Sequence, residues 1–200
     1  LDLFGWIPLA TAKERLMRVN WVFGAEWKPQ STIDLDRVRE VAPSWGSWKS
    51  WRDCGTHNVI CHDPVQIRKL LDRAFQAVCN FYIPRNRFLE VGRPTGVRLY
   101  DGEYQAEATD LEDIVAMHMV LPISDLVLLA GVNVASPAIP PDPMDQHRLR
   151  NRMGMLRSVI DNNPQIQWVL VDHLEYPDPA FLDIANLTRD TMENVLKLLA

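Results

Sequence analysis

Basic charge, glycine-rich loops and long apolar runs are all scarce in this 200-residue chain, and each scarcity closes a class of function. Lys and Arg number 21 against 26 Asp and Glu, a formal net charge of -5 that offers no basic footprint for nucleic acid. No run approaches the roughly 20 apolar residues of a membrane helix, so no membrane span is expected. Residues 1–16 lack the basic, apolar and small-residue succession of a secretory signal. Cys54, Cys61 and Cys79 are an odd set without a framework spacing, which predicts reduced thiols and a cytoplasmic location. Gly24-Ala25-Glu26-Trp27 lacks the further glycines of a dinucleotide fingerprint, and neither a P-loop nor a Gly-x-Ser-x-Gly elbow occurs anywhere.

What is present is one core's worth of apolar residues, 47% of the chain, punctuated in a βα rhythm. Val19–Phe23, Asn58–Cys61, Asn80–Ile83, Leu126–Leu129 and Gln167–Val171 are short apolar runs suited to strands covered on both faces. Helical periodicity fills Pro64–Val78, Thr109–Leu121, Met144–Asp161 and Thr188–Leu199, with a shorter segment at Asp34–Val41. Asp63 before Pro64 is a cap followed by a proline at the first helical position, and Thr109 with Glu112 has capping-box spacing. The expected fold is α/β and Rossmann-like: a mostly parallel open sheet of about five strands with helices on both faces. It occupies residues 17–200 as one domain, after an extension over residues 1–16. An α+β arrangement survives as the alternative because residues 84–108 have room for antiparallel strands, with a hairpin near Asp101-Gly102.

Ligands of open parallel sheets bind beyond the carboxyl ends of the strands, so the residues just past each strand are the candidates. They are Gly24, Glu26 and Trp27; His62 and Asp63; Arg85; Gly131 and Asn133; and Asp172 with His173. An imidazole beside a carboxylate suits proton transfer near neutrality, which marks His62-Asp63 and Asp172-His173 as candidate catalytic pairs. Asp63 is also accounted for as a helix cap. Trp45, Trp48 and Trp51 recur every three residues; packing is the commoner use of such indoles, and Trp48 stacking on a sugar or base is the functional one. Cys54, His57, Cys61 and His62 are zinc-ligand types at a spacing that fits no usual zinc knuckle, so no metal is expected. His118 shares a helical face with Leu111, Ile114 and Val115 and reads as a partly buried histidine, while Arg148, Arg150, Arg152 and Arg157 read as a solvated helix face.

The succession Asn58-Val59-Ile60-Cys61-His62-Asp63-Pro64, a helix, Asn80-Phe81-Tyr82-Ile83, a later helix, Asp125 to Leu129 and Gly131-Val132-Asn133-Val134 resembles bacterial sialyltransferases and related motility-associated glycosyltransferase-like domains. The chain departs from that family at Gly24-Ala25-Glu26-Trp27, where the family has Gly-x-Gly-Pro-Ser, and at Asn133, where it has Asp. The resemblance implies a nucleotide-sugar or another phosphorylated small molecule as ligand and partner, with no firm cofactor. His62 or His173 would be the general base on an acceptor hydroxyl, oriented by Asp63 or Asp172, with Arg85 and Asn133 on the ligand. The competing expectation is a non-catalytic binding or assembly protein, homo-oligomers included, that uses the Trp-rich segment and the proline-rich residues 135–143 as its surface.

Overall fold

A computed structural model describes residues 17–24, 35–101, 111–134, 142–172, 181 and 183–200. Within them, strands β1 (Val19–Phe23), β2 (Ser44–Ser47), β3 (Asn58–Ile60), β4 (Asn80–Pro84), β5 (Arg98–Tyr100), β6 (Leu126–Ala130), β7 (Gln167–Val171) and β8 (Leu187–Asp190) form one sheet in the order 5-4-3-2-1-6-7-8. Every pairing is parallel. The α/β Rossmann-like expectation therefore holds, with eight strands rather than about five. β5 runs parallel to β4, which removes the antiparallel alternative for the described part of residues 84–108.

The strands missed in the sequence are those whose composition argues against a strand. β2 is Ser-Trp-Gly-Ser, poor in β-branched residues, yet every one of its residues is buried. β8 is Leu-Thr-Arg-Asp at a sheet edge, where polar residues are tolerated because one side meets water. Three of its residues, Thr188–Asp190, were expected to start the last helix, which begins instead at Met192.

The helices are α1 (Leu35–Val41), α2 (Trp48–Cys54), α3 (Pro64–Leu71), α4 (Arg85–Phe88), α5 (Glu112–Val120), α6 (Pro143–Asp161) and α7 (Met192–Leu199). α3 is shorter than its apolar pattern suggests because Ala74 turns left-handed at φ 52°. A 3-10 turn over Phe75–Ala77 then swings Phe75 onto Phe81 and Trp51, with ring centroids 5.3 and 4.6 Å apart. Alternation along the strands sends Val22, Trp45, Ile60, Val127, Leu129 and Trp168 to the face covered by α5 and α6. Trp21, Phe23, Leu128 and Val169 face α1 and α7, while Val59 and Phe81 face α3. The sheet grows in one direction from β1 to β5, then α5 carries the chain back across and growth resumes on the other side of β1. The reversal falls between β1 and β6, which makes their carboxyl ends the crevice where such sheets hold ligands.

Candidate functional site

The carboxyl ends of β1, β2 and β6 meet at backbone contact. The Gly24 N–H continues the β1–β6 ladder to the Ala130 carbonyl at 2.8 Å. A Cβ on Gly24 would lie 2.0 Å from the Gly131 carbonyl oxygen, so no other residue fits there without moving β6. Gly131 itself has φ 67°, a left-handed turn that glycine adopts without strain. Ser50 fastens the same point from α2: its hydroxyl donates to the Phe23 carbonyl at 2.9 Å, and Gly46 leaves room for it. Gly24 and Gly131 thus stand at the switch point as expected, the structural reason for both being close backbone approach.

Beside this junction lies a cluster of buried ionisable side chains. His62 follows β3 by two residues and shares the face of Ile60, which turns its ring toward the first turn of α5. There its Nδ1 lies 3.7 Å from Glu112 Oε1, with side chains only 8% and 9% exposed. Burial pushes the Glu112 carboxyl up to about 8, against the opposing effects of the Cys61 thiol, the His62 backbone N–H and Lys49, while Asp113 pushes it further up. The pair is ionic only when His62 takes the proton; burial favours leaving it on Glu112. The two side chains thus sit side by side out of water, an arrangement suited to acid–base work.

Asp113 is buried too, and Arg152 Nη2 donates to its Oδ2 at 2.5 Å. Arg152 Nη1 donates to the Asn133 carbonyl at 2.8 Å, so one guanidinium from α6 joins the start of α5 to the chain leaving β6. Cys61 is a poor nucleophile: burial first, and then the Glu112 charge, push its thiol far above the range in which a thiolate forms.

Several residues expected at the site do other work. Asp63 accepts from the Val65 N–H at 2.9 Å as the cap of α3. Asp172, at φ 51°, accepts from the Met192 N–H at 2.8 Å and so secures the start of α7. Arg85 is exposed and pairs with Asp101 at 2.6 Å, three strands away from β1. Asn133 enters the cluster through its backbone carbonyl. Trp48 is half-buried against the α3 core with Arg52 over its ring, Trp45 is buried and donates to Asn20, and Trp51 packs on Phe75, so packing accounts for these indoles. His173, Glu26, Trp27 and Thr109 lie outside the described residues, as does most of the proline-rich segment. His118 proves exposed rather than partly buried, because α5 turns that position away from the sheet. The zinc alternative fails on placement. Cys54 packs with Trp21 and Val38, His57 bonds Ser44, and no group of three metal-ligating side chains occurs among the described residues.

Glu112, Asp113, Arg152 and Cys61 were not anticipated as a group. The available signal was two adjacent acids leading straight into the apolar run Ile114–Met117: carboxylates at that point enter the protein with the helix. A groove of about 440 Å³ lined by Arg18, Asn20, Pro43, Trp45 and Ile123 opens at the opposite, amino end of the strands. Its polar lining is internally paired, through Arg18 with Asp125 and Asn20 with Ser124 and Trp45, so the chemistry and the groove are in different places. No helix among the described residues is long and apolar enough to cross a membrane. No protein-family model, curated protein or solved structure matches the chain.

Proposed function

We propose that this protein is a glycosyltransferase-like transferase that binds a nucleotide-sugar, or another phosphorylated small molecule, beyond the carboxyl ends of β1 and β6. The observation that carries the reading is the buried His62–Glu112 pair, 3.7 Å apart beside the topological switch. His62 removes the proton from an acceptor hydroxyl as its oxygen bonds to the anomeric carbon, and the nucleotide departs with the electrons of the bond it leaves. Glu112 takes the orienting role that the sequence assigned to Asp63, because its carboxyl group lies 3.7 Å from Nδ1. Low exposure strengthens this electrostatic coupling relative to water. The resemblance in the succession of elements along the chain, with a Gly-hydrophobic turn at Gly131-Val132 after the late strand, supports the choice of ligand class.

One observation favours the rival, a binding or assembly protein without catalysis. Arg52, Arg85 and Arg152 each pair with an acid, Asp53, Asp101 and Asp113, so these three form no open phosphate clamp. Thermal melting against cytidine and uridine nucleotides, their sugar conjugates and divalent metals separates the two. The transferase reading expects a reproducible rise with a nucleotide, about 100-fold over its Kd being worth about 2.7 kcal/mol of stability. It also expects His62→Ala to keep the fold and bind ligand while losing turnover. No rise with any nucleotide, or full turnover in His62→Ala, would sink it.

A further inference from the structure

Arg152 is an expensive residue for its position. It lies in the middle of α6 with its side chain 15% exposed, paired to an Asp113 side chain that is 8% exposed. Desolvating such a pair commonly cancels its attraction, so an apolar pair of similar volume would hold α5 to α6 as well. What an apolar pair lacks is the fork. One planar guanidinium reaches two acceptors in fixed directions, here the Asp113 carboxylate and the Asn133 carbonyl. Asp113 directly precedes Ile114 and follows Glu112 in the first turn of α5, and its charge acts on the Glu112 carboxyl. Among the described residues, the other groups acting on Glu112 are Cys61 and His62 at the end of β3 and Lys49 on α2.

We propose that Arg152 is a positioning residue that couples the chain leaving β6 to the acid–base pair: by clamping Asp113 and the Asn133 carbonyl together, it sets how readily Glu112 holds its proton. The inference rests on reading His62–Glu112 as the working pair. Arg152 offsets the Asp113 charge, so the two partners act on Glu112 with opposite signs. Losing Arg152 removes the cation paired with Asp113 and makes Glu112 hold its proton more tightly. Losing the Asp113 charge while Arg152 remains does the reverse.

The test follows the Glu112 carboxyl by NMR in protein labelled at the glutamate side-chain carbon, with the resonance assigned by its loss in Glu112→Gln. Arg152→Met should raise the titration midpoint and Asp113→Asn should lower it, each by a fraction of a unit to about one unit, because a neighbouring charge shifts a carboxyl by an amount that falls with its distance. Arg152→Lys should restore the midpoint while leaving the Asn133–Val134 amides shifted, because a single ammonium cannot fork. Midpoints that stay in place in both single variants, with only the melting temperature falling, would overturn the proposal. Should Arg152→Met fail to fold, Asp113→Asn decides alone: an unchanged or raised midpoint overturns the coupling. No ligand or turnover is needed, so a missing nucleotide response would end the transferase reading without touching this result.

Discussion

At the amino edge of the sheet, Asn20, Ser44, Asn58 and Ser124 are buried neutral groups joined by hydrogen bonds; at the carboxyl edge, His62, Glu112, Asp113 and Arg152 form a buried ionisable cluster. Asn80 donates to Asn58 at 3.0 Å, Asn58 to the Ser44 carbonyl at 3.2 Å, and Ser44 shares a 2.8 Å bond with His57. Asn20 donates to Ser124 at 3.0 Å and accepts from Trp45 at 3.1 Å. These bonds close the starts of β1 to β4 as a structural hem, each worth on the order of 1 kcal/mol net and costing more if half-removed. His62, Glu112, Asp113 and Arg152, at the other edge, are charges or potential charges taken out of water. Burying them opposes stability, and proteins retain such groups where proton or ligand chemistry uses them. The contrast between a hem and an ionisable cluster, drawn within one sheet, favours the carboxyl edge for chemistry, although one groove opens at the other.

The harshest way to break the carboxyl edge is through its backbone. Gly24→Ala puts a methyl 2.0 Å from the Gly131 oxygen and 2.7 Å from the Val132 nitrogen, neither of which is a movable side-chain end. A loss of about 3 kcal/mol or more in urea denaturation is expected. Gly154→Ala on the exposed side of α6 meets nothing within 4 Å and should instead gain up to about 1 kcal/mol. Equal, small effects at both glycines would show that β1 and β6 are not locked together at the switch.

The two edges should also respond to pH with opposite signs. Glu112 holds its proton in the folded state up to about 8, whereas the unfolded carboxyl releases it near 4.5. The folded protein therefore binds more protons across that window, and stability falls as pH rises through it. His57 is the reverse case. Burial first, and then the Arg39 charge, lower it below its unfolded value of 6.5, so the unfolded chain binds more protons in acid and stability falls as pH drops below that value. Glu112→Gln should flatten the alkaline limb and be more stable than the parent at pH 9, by about 1–3 kcal/mol from relief of a buried charge. His57→Asn should flatten only the acid limb. Chemical denaturation from pH 4.5 to 9 reads both, and an alkaline limb that survives in Glu112→Gln would remove Glu112 as the proton-holding group.

How much of this was legible in the sequence follows from which signals are local. β1, β3, β4, β6 and β7 are apolar runs whose burial is written in their own residues, and the Asp63-Pro64 cap sits at a true helix start, whereas Glu112, expected three residues inside its helix, is the first residue of α5. β2 is a strand because of the strands on either side of it, and β5 because of β4 beside it. Gly46, for instance, is explained by the Ser50 side chain and the Phe23 carbonyl against it, contacts that no window of sequence displays. The site divides in the same way. Gly24, His62 and Gly131 were found from the strand-end rule, which needs only strand boundaries. Glu112 is separated from His62 by 50 positions and meets it only because α5 crosses back under β1 to β3 after β5. Sequence proximity favoured Asp63, and the three-dimensional crossing favours Glu112. Arg152 was hidden for a similar reason: among the arginines of α6, Arg148 and Arg157 pair at the surface, and only a partner from another helix distinguishes the buried one.

The smallest expected effect marks where the site ends. Arg85 stands just past β4 and has the residue type of a ligand clamp, but its guanidinium is 61% exposed and already paired with Asp101. Exposed pairs of this kind contribute little, because water screens them. Arg85→Ala should therefore leave the urea midpoint unchanged and any nucleotide-induced rise in melting temperature intact, whereas a ligand seated across Gly24 and Gly131 should lose that rise when either glycine's turn is disturbed. Loss of the ligand response in Arg85→Ala, with stability unchanged, would extend the binding surface across β2 and β3 to β4. The His62–Glu112 pair would then lie in the middle of the ligand's path rather than at its margin, because β3 sits between β4 and the switch.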